Sequence, residues 1–308
     1  MRQVKQLIRQ VAPAQLPIVI EGETGTGKEL VAQALHELSG RNGAFVPVNV
    51  SAYPDALLDG ALFGHARGAF TGAHRDAHGL LEEARNGTLF LDEIGTLSPA
   101  SQAKLLRAIE TRTWRRLGEA VERKGSFRVL AATNEPLTEL VRAGRFRADL
   151  AFRLRGLLVS LPPLRTRGAD IVRLATHFAG EQSIRSGAVQ GTSRDVIQVL
   201  RSYAWPGNVR ELRSVMEASV QLSDAGGVSS DTLLRFLPGG ARSLASLVER
   251  AAVVDALTRT GGDPLRAAEL LGVSRATIYR KVRLHGARMA SLRAESVPAR
   301  PLSDNATG

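Results

Sequence analysis

The hydrophobic positions of the chain form short runs separated by segments with helical spacing. Five runs of four or five residues contain many β-branched and aromatic side chains, at positions 16–20, 45–48, 88–91, 128–131 and 157–161. Short runs of this kind predict strands that are buried on both faces. Helical patterns occupy 29–38, 99–110 and 136–143. The alternation predicts an α/β fold in which crossover helices connect a parallel sheet.

Beyond residue 164 the pattern becomes helical. Helices are predicted over 170–180, 193–202 and 208–222, with Asn208 as an N-cap after a Trp-Pro-Gly turn. A Leu-Pro-Gly-Gly linker precedes three further predicted helices, at 243–260, 264–271 and 275–285. We therefore expect an α/β part (1–164), a helical part (165–238), a second helical part (241–288) and a disordered tail (289–308).

Composition narrows the class of protein. The 308 residues are 44% hydrophobic and 23% charged, which is typical of a chain with ordinary cores. There is no cysteine, so disulfides, thiolate nucleophiles and Cys-ligated metals are excluded. The sequence has no apolar run of about 20 residues and no signal-peptide pattern, so we expect a soluble cytoplasmic protein.

The net charge of +11 favours polyanionic partners, although a coding bias towards arginine produces the same excess. The charge is unevenly placed. Residues 241–288 contain nine basic and four acidic side chains, so this short segment carries nearly half of the excess. That location indicates a nucleic-acid-binding part near the C-terminus.

A glycine-rich segment between the first predicted strand and helix has the spacing of a phosphate-binding loop. It consists of Gly22, Glu23, Thr24, Gly25, Thr26, Gly27, Lys28 and Glu29. Glycines let backbone N–H groups surround phosphates, the helix N-terminus favours negative charge, and Lys28 supplies a cation. Glu29 stands where a Ser or Thr usually binds Mg²⁺. The alternative is a plain Gly-rich turn, which the strand–loop–helix context makes improbable.

Two adjacent carboxylates supply the second half of such a site. Asp92 and Glu93 directly follow the predicted strand at 88–91. In phosphoryl transfer one carboxylate holds Mg²⁺ and another orients or deprotonates the attacking water. We therefore predict an ATP and Mg²⁺ site with Asp92 as the metal ligand and Glu93 as the water-directing group.

Residues 267–282 have the pattern of a helix-turn-helix. Gly272 ends the first helix, Ser274 can cap the second, and Ile278 and Val282 share an inward face. The predicted DNA-binding residues are Ser274, Arg275, Thr277, Tyr279, Arg280, Lys281 and Arg283. The sequence does not decide whether the arginines contact bases or phosphates. A three-helix lid or a dimerisation unit with a basic face is the alternative.

Taken together, these motifs resemble the AAA+ activators of sigma-54 RNA polymerase, also called bacterial enhancer-binding proteins. The phosphate loop matches that family including Glu29. The family's GAFTGA sequence is present as Gly68, Ala69, Phe70, Thr71, Gly72 and Ala73. The order of later segments also matches: 128–134, 146–153, 161–165 and 205–212. The last of the helical parts resembles the Fis-type module that ends many such activators.

The resemblance implies an AAA+ ATPase domain (1–164), a helical lid (165–238) and a Fis-type DNA-binding domain (241–288). It implies that residues 68–73 contact sigma-54, that Asn49 pairs with Glu93, and that Asn134 lies near the γ-phosphate. Arg210 would contact nucleotide in cis, and Arg147 and Arg153 would act on a neighbouring subunit's site. The expected partners are sigma-54 RNA polymerase, an upstream palindromic DNA site and further copies of the chain, up to a hexamer.

Two rival classes remain: a DNA-binding regulator whose ATPase is lost or serves only assembly, and a different AAA+ remodelling machine. Intact Lys28, Asp92 and Glu93 count against the first, and the GAFTGA sequence counts against the second. One departure concerns the start of the chain. Family members usually have about twenty more residues before this point, and often a sensory domain, so we expect a chain that lacks its own sensor or is truncated.

Overall fold

A computed structural model describes residues 1–70, 72–186, 193–223, 227–237, 253, 255–261, 263–274 and 278–279, with the side chains of residues 56 and 183–186 excepted. The chain divides into two compact units. The first comprises Met1–Asp170 and Trp205–Leu212, and the second comprises Ile171–Ala204 and Arg213–Gly308.

Seven strands lie in the first unit within the described residues: β1 (Ile18–Glu21), β2 (Phe45–Asn49), β3 (Thr88–Asp92), β4 (Thr113–Arg115), β5 (Glu122–Lys124), β6 (Arg128–Thr133) and β7 (Leu157–Ser160). Five of them form a parallel sheet in the order β2–β3–β6–β1–β7, and β4 and β5 form a separate antiparallel hairpin. The parallel sheet is confirmed, with strand limits that differ from the predicted ones by at most two residues. The hairpin was not predicted, because three-residue strands leave little periodic signal.

Helices connect the strands of the first unit: α1 (Arg2–Val11), α2 (Lys28–Glu37), α3 (Asp55–Phe63), α4 (Leu80–Glu83), α5 (Pro99–Thr111), α6 (Leu137–Arg142) and α7 (Ala148–Leu154). The predicted helices correspond to α2, α5 and α6. The sequence interpretation missed the other four. Three of these are shorter than ten residues, and α3 has a glycine in its middle, which weakens a helical pattern.

Both faces of the sheet are covered by helices. Alternate residues of each strand point to opposite sides, so each strand contributes to two buried clusters. Val19, Leu89 and Val129 belong to one buried cluster, with α3, α5 and α7. Ile18, Phe90 and Leu130 belong to the other, with α1 and α2. The near-continuous apolar runs in the sequence reflect this double burial.

A buried cation fastens α1 to the sheet. Arg128, on β6, is 1% exposed, and its guanidinium donates to the carbonyl oxygens of Ala12 (2.7 Å), Val11 (3.3 Å) and Leu16 (3.3 Å). Two of these carbonyls belong to the C-terminal end of α1, where helical carbonyls lack partners within the helix. Burial lowers the pKa of Arg128 to about 10.

The described helices of the remaining chain are α8 (Gly168–Ser186), α9 (Arg194–Ser202), α10 (Asn208–Gln221), α11 (Ser230–Arg235) and α12 (Pro264–Leu270). The Asp263 side chain caps α12 by accepting from the N–H groups of Leu265 and Arg266. The predicted linker at 237–240 lies outside the described residues except for Leu237, and so do most of the helices predicted at 243–260 and 275–285 and the tail. No described helix is long and apolar enough to cross a membrane.

Candidate functional site

The phosphate loop (residues 22–29) connects β1 to α2. Lys28 is the first residue of α2 and is 8% exposed, and its Nζ donates to the carbonyl oxygens of Gly22 (2.8 Å) and Glu23 (3.3 Å). Thr26 Oγ1 also donates to Glu23 O, at 2.7 Å. No side chain caps α2, so its first N–H groups remain available at the end of the helix where anions bind.

Three predicted site residues from two other segments affect Lys28 electrostatically. Burial lowers the pKa of Lys28, the carboxylates of Asp92 and Glu93 act in the opposite direction, and the Arg210 guanidinium lowers that pKa further. Lys28 begins α2 after β1, and Asp92 ends β3, so these groups belong to the carboxyl edge of the parallel sheet. Ligands of open α/β sheets bind at this edge.

The carboxylate pair at the end of β3 is held in an unusual backbone conformation. Glu93 has a φ of 56°, which is left-handed and uncommon for a residue with a side chain. Asp92 Oδ1 accepts from Glu93 N at 3.0 Å, and Glu93 O accepts from both the N–H (3.0 Å) and the Oγ1 (2.8 Å) of Thr96. Strained conformations fixed in this way are concentrated at functional sites.

Two asparagines lie at the ends of β2 and β6, the strands on either side of β3, at the same edge of the sheet. Asn49 lies opposite Asp92 in the β2–β3 register, and its Oδ1 accepts from the N–H (3.0 Å) and Oγ (2.8 Å) of Ser51. Asn49 and Glu93, both described residues, share no hydrogen bond in this structure, so the implied pair is not formed here. Asn134 directly follows β6 and is exposed.

These groups fit a nucleoside triphosphate with Mg²⁺. The loop offers an uncapped helix N-terminus and a buried lysine, both suited to phosphates. Mg²⁺ usually takes one or two protein carboxylates and completes its octahedron with phosphate oxygens and water. Asp92 provides one such carboxylate at the sheet edge, and Glu29 lies exposed in the first turn of α2.

The segment Trp205–Leu212 packs directly on the phosphate loop. The N–H groups of Val209 (2.9 Å) and Arg210 (3.3 Å) donate to Gly25 O. A Cβ on Gly25 would lie 2.3 Å from Gly207 O, so only glycine permits this approach. Asn208 was predicted as an N-cap, and this was wrong: Asn208 is the first residue of α10, and its Oδ1 accepts from Leu164 N at 2.8 Å. The first N–H groups of α10, those of Val209 and Arg210, instead donate hydrogen bonds to the phosphate loop at Gly25 O.

The loop with the GAFTGA sequence (residues 68–73, called the coupling loop below) lies between α3 and α4. Gly68 N donates to Ala73 O at 2.8 Å and closes the loop at its base. The Phe70 ring makes an edge contact with His65, with centroids 4.9 Å apart. Thr71 lies outside the described residues.

The turn of the β4–β5 hairpin supports the base of the coupling loop, and sequence reasoning missed this. Leu117 N donates to Gly64 O at 2.9 Å, and Leu117 O accepts from Ala66 N at 2.9 Å. A Cβ on Gly118 would lie 2.9 Å from the Cβ of Ala69. The two loops therefore touch through main chain, which side-chain patterns do not reveal.

The two arginines expected to act on another subunit lie exposed at α7. Arg147 precedes α7 and forms a two-pronged ion pair with Asp149, at 3.0 and 2.7 Å. Arg153 lies in the last turn of the same helix and is exposed. Their exposure leaves both groups accessible from outside the chain.

Only part of the predicted DNA-binding surface is described. Ile278 is fully buried in a cluster with Val253, Leu257 and Ala268, as its predicted inward position requires. Tyr279 is 54% exposed, and Ser274 O accepts from Ile278 N at 3.2 Å. Arg275, Thr277, Arg280, Lys281 and Arg283 lie outside the described residues.

Comparison with known families gives three adjoining matches. The sigma-54 interaction domain matches residues 1–160, the AAA+ ATPase lid domain matches 165–239, and the Fis family of bacterial regulatory proteins matches 245–283. The chain belongs to the sigma-54 interaction domain family. The predicted fold class is thereby confirmed: a P-loop AAA+ parallel-sheet domain with a helical lid and a C-terminal helix-turn-helix.

Individual relatives agree with this assignment. The chain is 43% identical to the transcriptional regulatory protein ZraR of Klebsiella oxytoca, over 92% of its own length and 66% of the relative's. It is 42% identical to the Nif-specific regulatory protein of Klebsiella pneumoniae, with shares of 91% and 56%. The crystal structure of NtrX from Brucella abortus with ADP is similar at 31% identity and a TM-score of 0.74, with shares of 92% and 68%. The chain spans between 37% and 66% of the length of these curated relatives and others like them.

Proposed function

We propose that the chain is an ATP-hydrolysing transcription activator that binds upstream DNA and remodels the sigma-54 RNA polymerase holoenzyme through its coupling loop. The observation that carries the proposal is the carboxyl edge of the sheet, where Lys28 begins α2, Asp92 ends β3 and the Arg210 N–H bonds the phosphate loop. Membership of the sigma-54 interaction domain family supports the partner. The domain limits we propose are 1–164, 165–238 and 241–288, in a cytoplasmic protein.

The residues of the chain divide the hydrolytic task. The uncapped start of α2 and Lys28 bind the phosphates, and Asn134 lies near the γ-phosphate. Glu93 orients the attacking water and accepts its proton. When bound at Asp92, Mg²⁺ neutralises charge on the phosphates. Phosphoryl transfer depends mainly on such positioning and charge stabilisation.

A neighbouring copy completes the site. Arg147 and Arg153 reach from one subunit to the next, as exposed side chains at α7 permit. Arginines supplied in this way contribute ~10³–10⁵ in rate in other nucleotide hydrolases. Activity therefore depends on a ring, which we propose to be a hexamer, and rises with protein concentration.

The coupling loop transmits the conformational change caused by ATP hydrolysis to the sigma factor. The C-terminal helices bind a palindromic DNA site as a dimer and hold the assembly there. During the ATPase cycle, Asn49 would give up its hydrogen bonds to Ser51 and bond Glu93 instead. This exchange of hydrogen-bond partners would alter the structure at the carboxyl edge of the sheet. The coupling loop and the β4–β5 turn move as one, since Leu117 bonds the chain on both sides of His65.

The proposed experiment separates ATP hydrolysis from the activation of transcription. We expect Thr71→Ala to retain ATP hydrolysis and to lose transcription from a sigma-54 promoter, because Thr71 belongs to the GAFTGA sequence and is not one of the residues predicted to bind ATP. Thr138→Ala, an exposed threonine on α6, is the matched control and should retain both activities. Normal transcription by Thr71→Ala would contradict the proposal.

A further inference from the structure

Three side chains from distant parts of the first unit meet at the crest of the phosphate loop, defined here as residues 23–25. The Arg165 guanidinium donates to both carboxylate oxygens of Glu23, at 2.8 and 2.6 Å. Asn208 Nδ2 donates to Glu23 Oε2 at 3.2 Å. Arg165 belongs to the helical turn Leu164–Thr166 after β7, and Asn208 begins α10. Glu23 thus connects the loop to two later segments.

Asn208 combines a left-handed backbone with a side-chain donor and a side-chain acceptor, and its position uses all three. It is fully buried, has a φ of 52°, and uses both ends of its amide. Nδ2 also donates to Thr24 O at 2.9 Å, while Oδ1 accepts from Leu164 N at 2.8 Å. An aspartate tolerates the left-handed backbone but lacks the donor, and a glycine lacks both groups.

The same contact positions Arg210. Gly25 O accepts from the N–H groups of Val209 and Arg210, so the crest and the first turn of α10 are joined by main chain as well as by side chains. Because Arg210 is only two residues from Asn208, a shift of Asn208 moves Arg210 relative to the loop. Glu23 O in turn accepts from Lys28 Nζ at 3.3 Å.

The charge of Glu23 is balanced within the cluster. An unpaired carboxylate on a phosphate-binding loop would repel phosphates. Arg165, and then Asn208, hold the pKa of Glu23 at about 2 by hydrogen bonding to the charged form. The Glu23 carboxylate is therefore ionised and paired with Arg165 and Asn208.

We propose that Glu23, Arg165 and Asn208 form a positioning clasp that fixes the crest of the phosphate loop against the first turn of α10 and so sets the affinity for nucleoside phosphates. The proposal rests on the proposed function in that the loop must bind a nucleotide. In this proposal Arg165 and Asn208 do not contact the phosphates. They act by fixing the positions of Glu23 and Arg210.

The first test changes one atom of the clasp. Asn208→Asp keeps the acceptor for Leu164 N and the left-handed backbone, and places an oxygen against two acceptors, Glu23 Oε2 and Thr24 O. We expect the full-length chain to bind Mg-ADP about tenfold more weakly, the effect of losing one hydrogen bond to a charged group. Asn86→Asp is the matched control: Asn86 has a similar left-handed φ, 56°, but lies exposed before β3, away from the loop. It should bind as the wild type does.

The second test asks whether Glu23 transmits the effect. In Asn208→Asp with Glu23→Gln, the Gln amide can donate to the new carboxylate, so binding of Mg-ADP should recover by several-fold. Arg165→Ala alone should also weaken binding, by leaving the Glu23 carboxylate unpaired, and Glu23→Gln should again restore part of it. Arg142→Ala, which breaks the exposed two-pronged pair with Glu139 on α6, is the control for Arg165→Ala.

The outcomes separate the two levels of the argument. A folded wild type that fails to bind Mg-ADP overturns the proposed function and the clasp with it. A wild type that binds, beside Asn208→Asp that binds equally well, overturns the clasp alone. Weak binding that Glu23→Gln does not relieve also overturns it, because an effect of general misfolding has no reason to depend on Glu23. If Asn208→Asp does not fold, the comparison of Arg165→Ala with the double variant Arg165→Ala, Glu23→Gln tests the clasp. Both side chains are 41% exposed, so their replacement should leave the fold intact.

Discussion

Gly25→Ala perturbs the contact between the phosphate loop and α10 at a single atom. Gly25 has a φ of 78°, and its added Cβ would lie 2.3 Å from Gly207 O and 3.2 Å from the Cβ of Arg210. The obstacle is main chain, so no side-chain rotation relieves it. The turn that carries Gly207 cannot retreat easily either, because Trp205 beside it is fully buried.

The expected cost has two parts. Forcing an alanine into the left-handed region costs about 1–2 kcal/mol. Separating the loop from α10 loses the two hydrogen bonds to Gly25 O, each worth about 1 kcal/mol. We therefore expect Gly25→Ala to lower the free energy of unfolding of the first unit by about 3–4 kcal/mol and to weaken Mg-ADP binding.

Tryptophan fluorescence during urea unfolding measures this unit selectively, since the two tryptophans of the chain, Trp114 and Trp205, are both buried in it. Gly40→Ala is the matched control. Gly40 has a φ of 71° with nothing within 4 Å of the added Cβ, so it reports backbone strain without the collision. Equal losses for the two variants would refute the close-contact argument, and so would unchanged Mg-ADP binding in Gly25→Ala.

Three further predictions concern other parts of the first unit. Arg128→Met removes three hydrogen bonds from the end of α1 and should lower the free energy of unfolding by about 3–5 kcal/mol in the same fluorescence assay; a loss below about 1 kcal/mol would contradict the role of Arg128. Glu23 has a folded pKa of about 2 against an ordinary 4.5, so its stabilising effect is present above pH 4.5 and is lost as the pH falls towards 2. The difference in unfolding midpoint between wild type and Glu23→Gln should therefore shrink across that interval, and a constant difference would exclude the pairing. Arg147→Ala should reduce ATP hydrolysis by about 10³-fold or more while Mg-ADP binding is kept, and full hydrolysis by this variant would count against a shared site.

The central sheet could be predicted because its strands are buried on both faces, which leaves nearly uninterrupted apolar runs such as that of β6. The positions of the phosphate loop after β1 and of the carboxylate pair at the end of β3 could be predicted because each segment is continuous in sequence. Chemistry that depends on a few adjacent residues at the end of a strand is preserved in the linear pattern. The family resemblance was confirmed for the same reason.

Contacts between distant segments could not be predicted in this way. Asn208 has the sequence context of a helix cap, yet its amide bonds the phosphate loop and Leu164, because the chain brings α10 back to the sheet edge. Arg165 gave no signal of its pairing with Glu23, 142 residues earlier. The support of the coupling loop by Leu117 is a main-chain contact and depends on no side chain that a pattern could reveal.

The most direct measurement is open-complex formation by sigma-54 RNA polymerase at a promoter carrying an upstream site for this protein, with ATP compared to a non-hydrolysable analogue. We predict open complexes with ATP, closed complexes with the analogue, and none opened by Lys28→Ala with either nucleotide. Equal opening with ATP and the analogue, or opening by Lys28→Ala, would contradict the claim that hydrolysis at this sheet edge drives the polymerase.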